Sequence, residues 1–518
     1  MKTYLLFGII FWVVTLASCM EELGNYDYEE VNSLKLDSIQ GTTITQFDTL
    51  KIKPFIRQTM GQEEEQLEYL WFWYKDAAAE LEVLDTLSTE KNLNYYVATE
   101  PGLYHASFQV TDKQTGLFAR KNFDVSIVAD NSGILVLSEL EGKANLSLLN
   151  FAREYFQDVY YAANGEYAGE KPVAIADIDN AATDLHMVVI MCQDERGGVV
   201  VDPSMFRKIN VFSDLFYTVP KVIHPETYCS VATLYVSGMG ITYDFMINDG
   251  KLYNRDFQNA MYEPLFRPEI YGDYKLSPCS FLNYNTLMFY DNKNYCFNIL
   301  KCSYGTISTT RLDPVPLAID ADPEKMEFNP RDTKLELVYG GEGWKKEGNS
   351  AGFGYGIFRT PGTTDLNNMY CLKFHIGTSM SSSYAQENFV AYFKHPVREA
   401  VQLNEASAYA ISKKDPYLYY ACKNKIYSYD LEYDKSKVIY DTDTVVGAGA
   451  RVDYMYFQPG SSPDNSLTMW AATSIPESSG KTGSIHVLGL GRNGDVVRVD
   501  TVYQNVCGKV VGMAYKNR

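Results

Sequence analysis

The sequence predicts an all-β protein, an N-terminal β-sandwich followed by a β-propeller-like domain. Three observations carry this. Short runs that alternate apolar and polar residues, bounded by Gly, Pro, Asn and Asp, recur along most of the 518 residues. A unit of strand, polar turn and β-branched strand repeats through residues 131–518, and at roughly 40–50 residues per blade that length accommodates about seven or eight blades. Tyrosine is abundant, 41 residues against 5 tryptophans, and tyrosine favours strands. Helical patterns are short and confined to the neighbourhoods of 150–155 and 398–405. An array of several sandwiches is the alternative architecture.

The first 18 residues read as a signal peptide. Lys2 gives a positive start, and residues 4–15 (YLLFGIIFWVVT) form an apolar stretch too short to span a bilayer as a stable helix. Small residues follow, and Leu16-Ala17-Ser18-Cys19 resembles a bacterial lipobox. On that resemblance Cys19 becomes the lipidated first residue of the mature protein; an ordinary secretory signal with an incidental cysteine is the alternative. A double acyl anchor gives stable attachment, since each buried methylene contributes about 0.8 kcal/mol. Residues 19–32 are acidic, lack hydrophobic periodicity and read as a tether. The Glu21-Glu22 pair resembles the surface-export signal of Bacteroidetes lipoproteins. The expected location is the outer membrane, lipid-anchored and facing the exterior. No later stretch is long and apolar enough for a transmembrane helix.

Residues 33–130 carry the sandwich. Leu34-Lys35-Leu36 and Thr49-Leu50-Lys51-Ile52 alternate like half-buried strands. An aromatic strand, Tyr69-Leu70-Trp71-Phe72-Trp73-Tyr74, follows. Pro101-Gly102 marks a turn into Leu103-Tyr104-His105-Ala106-Ser107-Phe108-Gln109-Val110, and 121–129 forms the last strand. About 100 residues of this kind describe a sandwich. Trp71 and Trp73, then Pro101, Gly102, Tyr104, Val110, Thr111 and Asp112, resemble the polycystic-kidney-disease (PKD) type of immunoglobulin-like module. The resemblance implies an immunoglobulin-like β-sandwich that serves as spacer or adaptor.

Residues 131–518 carry the repeating unit. Examples are Gly133 to Glu139 turning into Ala144 to Leu149, Lys425 to Leu431 into Val438 to Asp441, and Ser484 to Leu488 into Val496 to Val499. The last apolar run, Gly508 to Tyr515, reaches the end of the chain. A terminal strand of this kind is expected to complete the first blade and remove the sheet edges of an open ring.

A net charge of −19 and a pI near 4.9 argue against nucleic-acid binding, which needs basic patches. Beyond Cys19 there are eight cysteines, widely spaced and without CxxC, and they read mostly as buried thiols. Cys296 and Cys302 are spaced to pair across a hairpin. The six histidines are single, and none has metal-ligand spacing. There is no HExxH, GxSxG, Walker loop or post-strand GxGxxG. No catalytic residue is therefore assigned, and no cofactor is expected. Asp177, Asp179, Asn180 and Asp184 form the densest oxygen cluster, a candidate for Ca²⁺ if they share a loop, and a solvated turn otherwise. Residues 339–355 (YGGEGWKKEGNSAGFGY) read as a glycine-rich projecting loop. Its Trp344, Phe353, Tyr355, Lys345 and Lys346 are the candidates for ligand contact; packing of its own aromatics is the alternative. Trp470 reads as a strand residue of the core.

The lipobox, Leu23-Gly24-Asn25-Tyr26-Asp27-Tyr28, the W-x-W module and the 133–139 strand together resemble the PKD-like lipoproteins of Bacteroidetes. That resemblance implies a non-catalytic surface lipoprotein, accessory to capture of a glycan or peptide with a TonB-dependent transporter and a SusD-type lipoprotein. The alternative is a propeller glycoside hydrolase or lyase with paired carboxylates.

Overall fold

Two tryptophans organise the N-terminal unit. In the computed structural model, residues 32–517 are described apart from 61–65, 76–84, 181–184, 237–238, 259–260, 263–264, 284–285, 301, 304–305, 308–310, 319, 345–352, 378–387, 459–466 and 477. The lipobox and Cys19 lie outside the described residues. The chain divides into two compact units. The first takes in residues up to 44, 49–95 and 102–126; the second takes in 45–48, 96–101 and 127 onwards.

The first unit is built on a five-stranded sheet. Its order is Thr42–Thr45, Phe118–Val128, Gly102–Asp112, Leu67–Lys75 and Asp85–Ser88. Leu34–Leu36 pairs with Ile56–Gln58, and Thr49–Ile52 with Leu93–Tyr96. The alternation in Leu67–Lys75 sends Trp71 and Trp73 to the buried face. There Trp71 stacks on Phe108 at 4.1 Å and Trp73 meets Tyr104 at 4.8 Å. Both indoles are fully buried, so each contributes about 1.5–3 kcal/mol or more of apolar transfer. The aspartate that ends the Val-Thr-Asp run has a structural task. Asp112 accepts from the backbone amides of Gln114 and Thr115 and from Asn32 Nδ2, satisfying the turn after its strand.

The second unit is a β-propeller. Among the described residues it holds seven four-stranded antiparallel sheets. Six are consecutive in sequence, spanning 172–211, 225–262, 276–314, 336–396, 408–441 and 451–507. The remaining sheet, the first blade, joins the two ends of the propeller sequence. Gly133–Leu140, Lys143–Asn150 and Tyr155–Phe156 supply three strands, and the C-terminal Lys509–Lys516 supplies the innermost. Lys509–Lys516 pairs antiparallel with Gly133–Leu140, with a bulge at Leu137/Ser138. Neighbouring innermost strands touch in turn around the ring, and the last meets the first. The approach at the closure is tight: a Cβ on Gly508 would lie 2.0 Å from the Glu139 carbonyl oxygen, so only glycine fits.

Innermost strands have one free backbone edge, and buried amides need partners. Tyr339, Tyr454 and Tyr456 lie on these strands, and burial pushes all three phenols above their ordinary range. Between the blades lie clusters of buried side chains, for example Phe281, Tyr290, Phe297, Phe358 and Phe374 between the fourth and fifth.

The helix content falls elsewhere than the sequence suggested. Residues 150–155 form a tight turn between two strands, with Asn150 Oδ1 accepting from the Glu154 amide at 2.8 Å. The helix comes just after, at Val159–Asn164, ending on Gly165 in the left-handed region. Within 398–405 only Leu403–Glu405 is helical, a single 3-10 turn. Among the described residues seven cysteines carry free thiols, including Cys296, so the Cys296–Cys302 pairing is not formed. Cys296 Sγ instead accepts from Asn298 Nδ2 at 3.5 Å.

Candidate functional site

Closure of the ring brings distant residues together around a pocket of about 310 Å³ between the first and seventh blades. Its first-blade wall comes from Ile134, Leu149, Asn150, Phe151 and Arg153; its seventh-blade wall includes Trp470, Arg498, Asp500 and Tyr503. Trp470 sits on Thr468–Ser474, paired with Tyr456 on one side and Val487 on the other. The indole is half-buried, and its Nε1–H is buried without a hydrogen-bond partner. Arg498 and Asp500 lie two apart on Val496–Cys507, hence on one face. Arg498 Nε donates to Asp500 Oδ1 at 2.7 Å. Arg153 occupies the turn after Lys143–Asn150 with a left-handed φ of 69°, and its carbonyl accepts from the Tyr503 hydroxyl at 2.9 Å. Phe151 is exposed and leans on Tyr515 with ring centroids 5.5 Å apart.

The chemistry of this lining suits binding. Three aromatics offer flat apolar faces, and two guanidiniums offer donors. Among the described residues the lining holds a single carboxylate, Asp500, which is ion-paired to Arg498. Glycoside hydrolysis ordinarily takes two carboxylates flanking one bond. Buried carboxylates elsewhere in the propeller are engaged structurally. Asp244 accepts from Arg255 Nε at 2.9 Å and from the Tyr228 hydroxyl at 2.5 Å in the third blade. Asp177 Oδ1 lies 2.9 Å from His186 Nε2.

Within the glycine-rich segment 339–342 and 354–355 are strand, and 345–352 lie outside the described residues. Glu336–Glu342 and Gly354–Arg359 pair as a hairpin, and Gly354 makes room for the Phe374 ring, which would lie 2.2 Å from a Cβ there. Tyr355 is fully buried, and its hydroxyl donates to Glu432 at 2.7 Å, so it belongs to the core and not to an outward contact surface. Phe353 is half-buried and lies over the Lys373 ammonium at 4.3 Å, while Lys373 pairs with Glu432 at 2.6 Å. Trp344 is half-buried at the hairpin end, and Lys345 and Lys346 lie outside the described residues. The hairpin thus brings Phe353 and Tyr355 to one lysine, in a packed cation–π cluster.

The oxygen cluster is also strand. Asp177, Asp179 and Asn180 lie on Pro172–Asn180, an extended segment that cannot wrap around an ion as a loop does, and Asp184 lies outside the described residues. Among the described residues no group of three or more His, Cys, Asp or Glu is placed to hold a metal ion. Asp322 caps a 3-10 turn, accepting from the Glu324 amide at 3.1 Å. His105 is paired with Asp124 at 2.8 Å on the sandwich surface.

Arg153, Arg498, Asp500 and Tyr503 escaped the sequence reading, and Trp470 passed as core. The available signal was the Arg498-x-Asp500 alternation after a glycine turn, which marks a polar strand face but no pocket.

A quinonprotein alcohol dehydrogenase-like protein of Bacteroides thetaiotaomicron is similar at 11% identity and a TM-score of 0.41, covering 90% of this chain and 96% of that one. A β-propeller domain of Myceliophteria thermophila is similar at 8% identity and a TM-score of 0.34, covering 67% and 94%. An auxiliary nutrient binding protein of Bacteroides thetaiotaomicron is similar at 10% identity and a TM-score of 0.26, covering 68% and 88%. No curated protein matches the sequence. Residues 19–172 match the PKD-like family, a stretch that runs through the sandwich and the three N-terminal strands of the first blade.

Proposed function

We propose that this protein is a non-catalytic lipoprotein of the outer-membrane surface that captures a small glycan or peptide ligand in the pocket between its first and seventh blades. The observation that carries the reading is the pocket itself: three aromatic faces, uncommitted donors and one ion-paired carboxylate. Such a lining supplies orientation and apolar contact, as ligand pockets do. The anchor is Cys19, on the strength of the lipobox-like Leu16-Ala17-Ser18-Cys19. The resemblance to PKD-like lipoproteins supports work beside a TonB-dependent transporter and a SusD-type lipoprotein.

The test combines location with capture. Cys19→Ser is expected to release the protein from the membrane fraction, and surface protease treatment of intact cells to degrade the native form. Affinity purification from outer membranes is expected to recover a transporter or SusD-type partner. A protein that purifies alone, retains no glycan or peptide and stays protected inside the cell sinks the reading.

A further inference from the structure

We propose that the pocket between the first and seventh blades selects an acidic sugar residue, a terminal uronate, through Arg153 and Arg498. The inference rests on the reading that this pocket binds a ligand, and adds the class of ligand.

Charge comes first. The chain carries a net charge of −19, yet the pocket lining sets two arginines against one aspartate. Asp500 is engaged by Arg498 Nε, and among the described residues the Nη groups of Arg498 make no hydrogen bond. The Arg153 guanidinium has neither ion pair nor hydrogen bond among the described residues, and the side chain is exposed at the pocket. Two guanidiniums with donors to spare suit a carboxylate, which accepts paired N–H bonds in a planar fork.

The rest of the lining suits a sugar ring. Trp470 lines the pocket with a half-buried indole, its Nε1–H being turned into the protein, so it offers a ring face to a ligand. Trp470, Phe151 and Tyr503 offer faces for the C–H side of a pyranose. The volume, about 310 Å³, lies at the small end of the roughly 300–1,000 Å³ typical of ligand pockets, which favours one terminal residue over a long chain.

Calorimetric titration of the full chain with methyl glucuronide, methyl glucoside and an aromatic dipeptide with a free C-terminal carboxylate separates the possibilities. Each charged hydrogen bond is worth about a factor of ten in affinity, so glucuronide is expected to bind at least about tenfold tighter than glucoside. Arg153→Gln and Arg498→Gln are each expected to bring that ratio to within about threefold, with the larger loss on glucuronide. Trp470→Ala, which removes the aromatic face, is expected to weaken both sugars alike, and circular dichroism checks that it folds. Equal binding of the two sugars overturns the acid preference and leaves ligand capture standing. Dipeptide binding without glucuronide binding, or glucuronide binding indifferent to all three substitutions, overturns the proposal. Failure of all three probes to bind overturns it together with the pocket reading.

Discussion

The seventh blade carries one buried and one half-buried titratable group whose effects on stability oppose each other in acid. His486 is fully buried, with Nδ1 3.1 Å from the Tyr440 hydroxyl and Nε2 3.2 Å from Thr473 Oγ1. Burial holds its imidazole down to about pH 4 from an ordinary 6.5. Asp453 faces the reverse: burial pushes its carboxyl up from 3.8 to about 6, against the bond donated by the Ser474 hydroxyl. For His486 the unfolded chain binds the extra proton between pH 6.5 and 4, so stability is present above 6.5 and falls by about 3 kcal/mol as pH drops through that window. For Asp453 the folded chain binds the extra proton between pH 6 and 3.8, so stability rises by about 3 kcal/mol as pH drops. In the native protein the two nearly cancel. Asp453→Asn removes only the compensating member, so its stability is expected to fall about 3 kcal/mol further than that of the native protein between pH 6.5 and 4. His486→Gln is expected to shift the other way. Urea unfolding followed by tryptophan fluorescence at pH 6.5, 5 and 4 reads the differences, with every other titrating group common to all three proteins. Parallel pH profiles for native protein and Asp453→Asn would refute the reasoning.

Other perturbations follow from the same packing. Ending the chain after Gly508 removes Lys509–Lys516, with Val510 and Met513 worth about 1.5–3 kcal/mol each, and exposes the Gly133–Leu140 edge. The thermal midpoint is expected to drop and size-exclusion chromatography to show self-association; an unchanged midpoint and elution contradict ring closure. Asp244→Ala strands the Arg255 guanidinium, 1% exposed, in the third blade and is expected to cost about 3–5 kcal/mol in chemical denaturation. Asp244→Asn combined with Arg255→Met is expected to recover much of that loss, and failure to recover any of it argues against stranding of the charge as the cause. Burial lowers the Lys516 ammonium from 10.5 to about 8. Its charged form therefore destabilises the fold below pH 8, and that cost of about 3 kcal/mol is relieved as pH rises toward 10.5. Lys516→Met should abolish this alkaline gain, measured as the difference in urea midpoint between pH 7.5 and 10; a gain that persists refutes it.

What the sequence disclosed depended on how local each feature is. Alternation in Leu67–Lys75 and Gly102–Asp112 comes from side chains of a single strand, so it is visible in a short window. The closing strand was legible because an apolar run at the chain end has few other places to go. The helix Val159–Asn164 was missed because six residues are too few to show a helical period, and only Val159 and Tyr160 are buried. Residues 150–155 hold good helix formers, yet the Asn150 side chain takes the Glu154 amide and fixes a turn. Gly354, at the edge of the glycine-rich 339–355, has a purpose the sequence does not display, admitting an aromatic ring within a strand. The pocket was invisible for a different reason. Its walls come from segments more than 300 residues apart, joined by the pairing of Gly133–Leu140 with Lys509–Lys516. Nothing near Arg153 in sequence tells of Arg498.

The central claim is that ring closure assembles a ligand pocket from the two ends of the propeller sequence. Amide hydrogen exchange of the full chain with and without methyl glucuronide tests it most directly. The account predicts that Lys143–Asn150 and Val496–Cys507 gain protection together at the same ligand concentration, with Lys509–Lys516 already protected in the free protein. Fast exchange in Lys509–Lys516, or ligand protection confined to other blades, would contradict it.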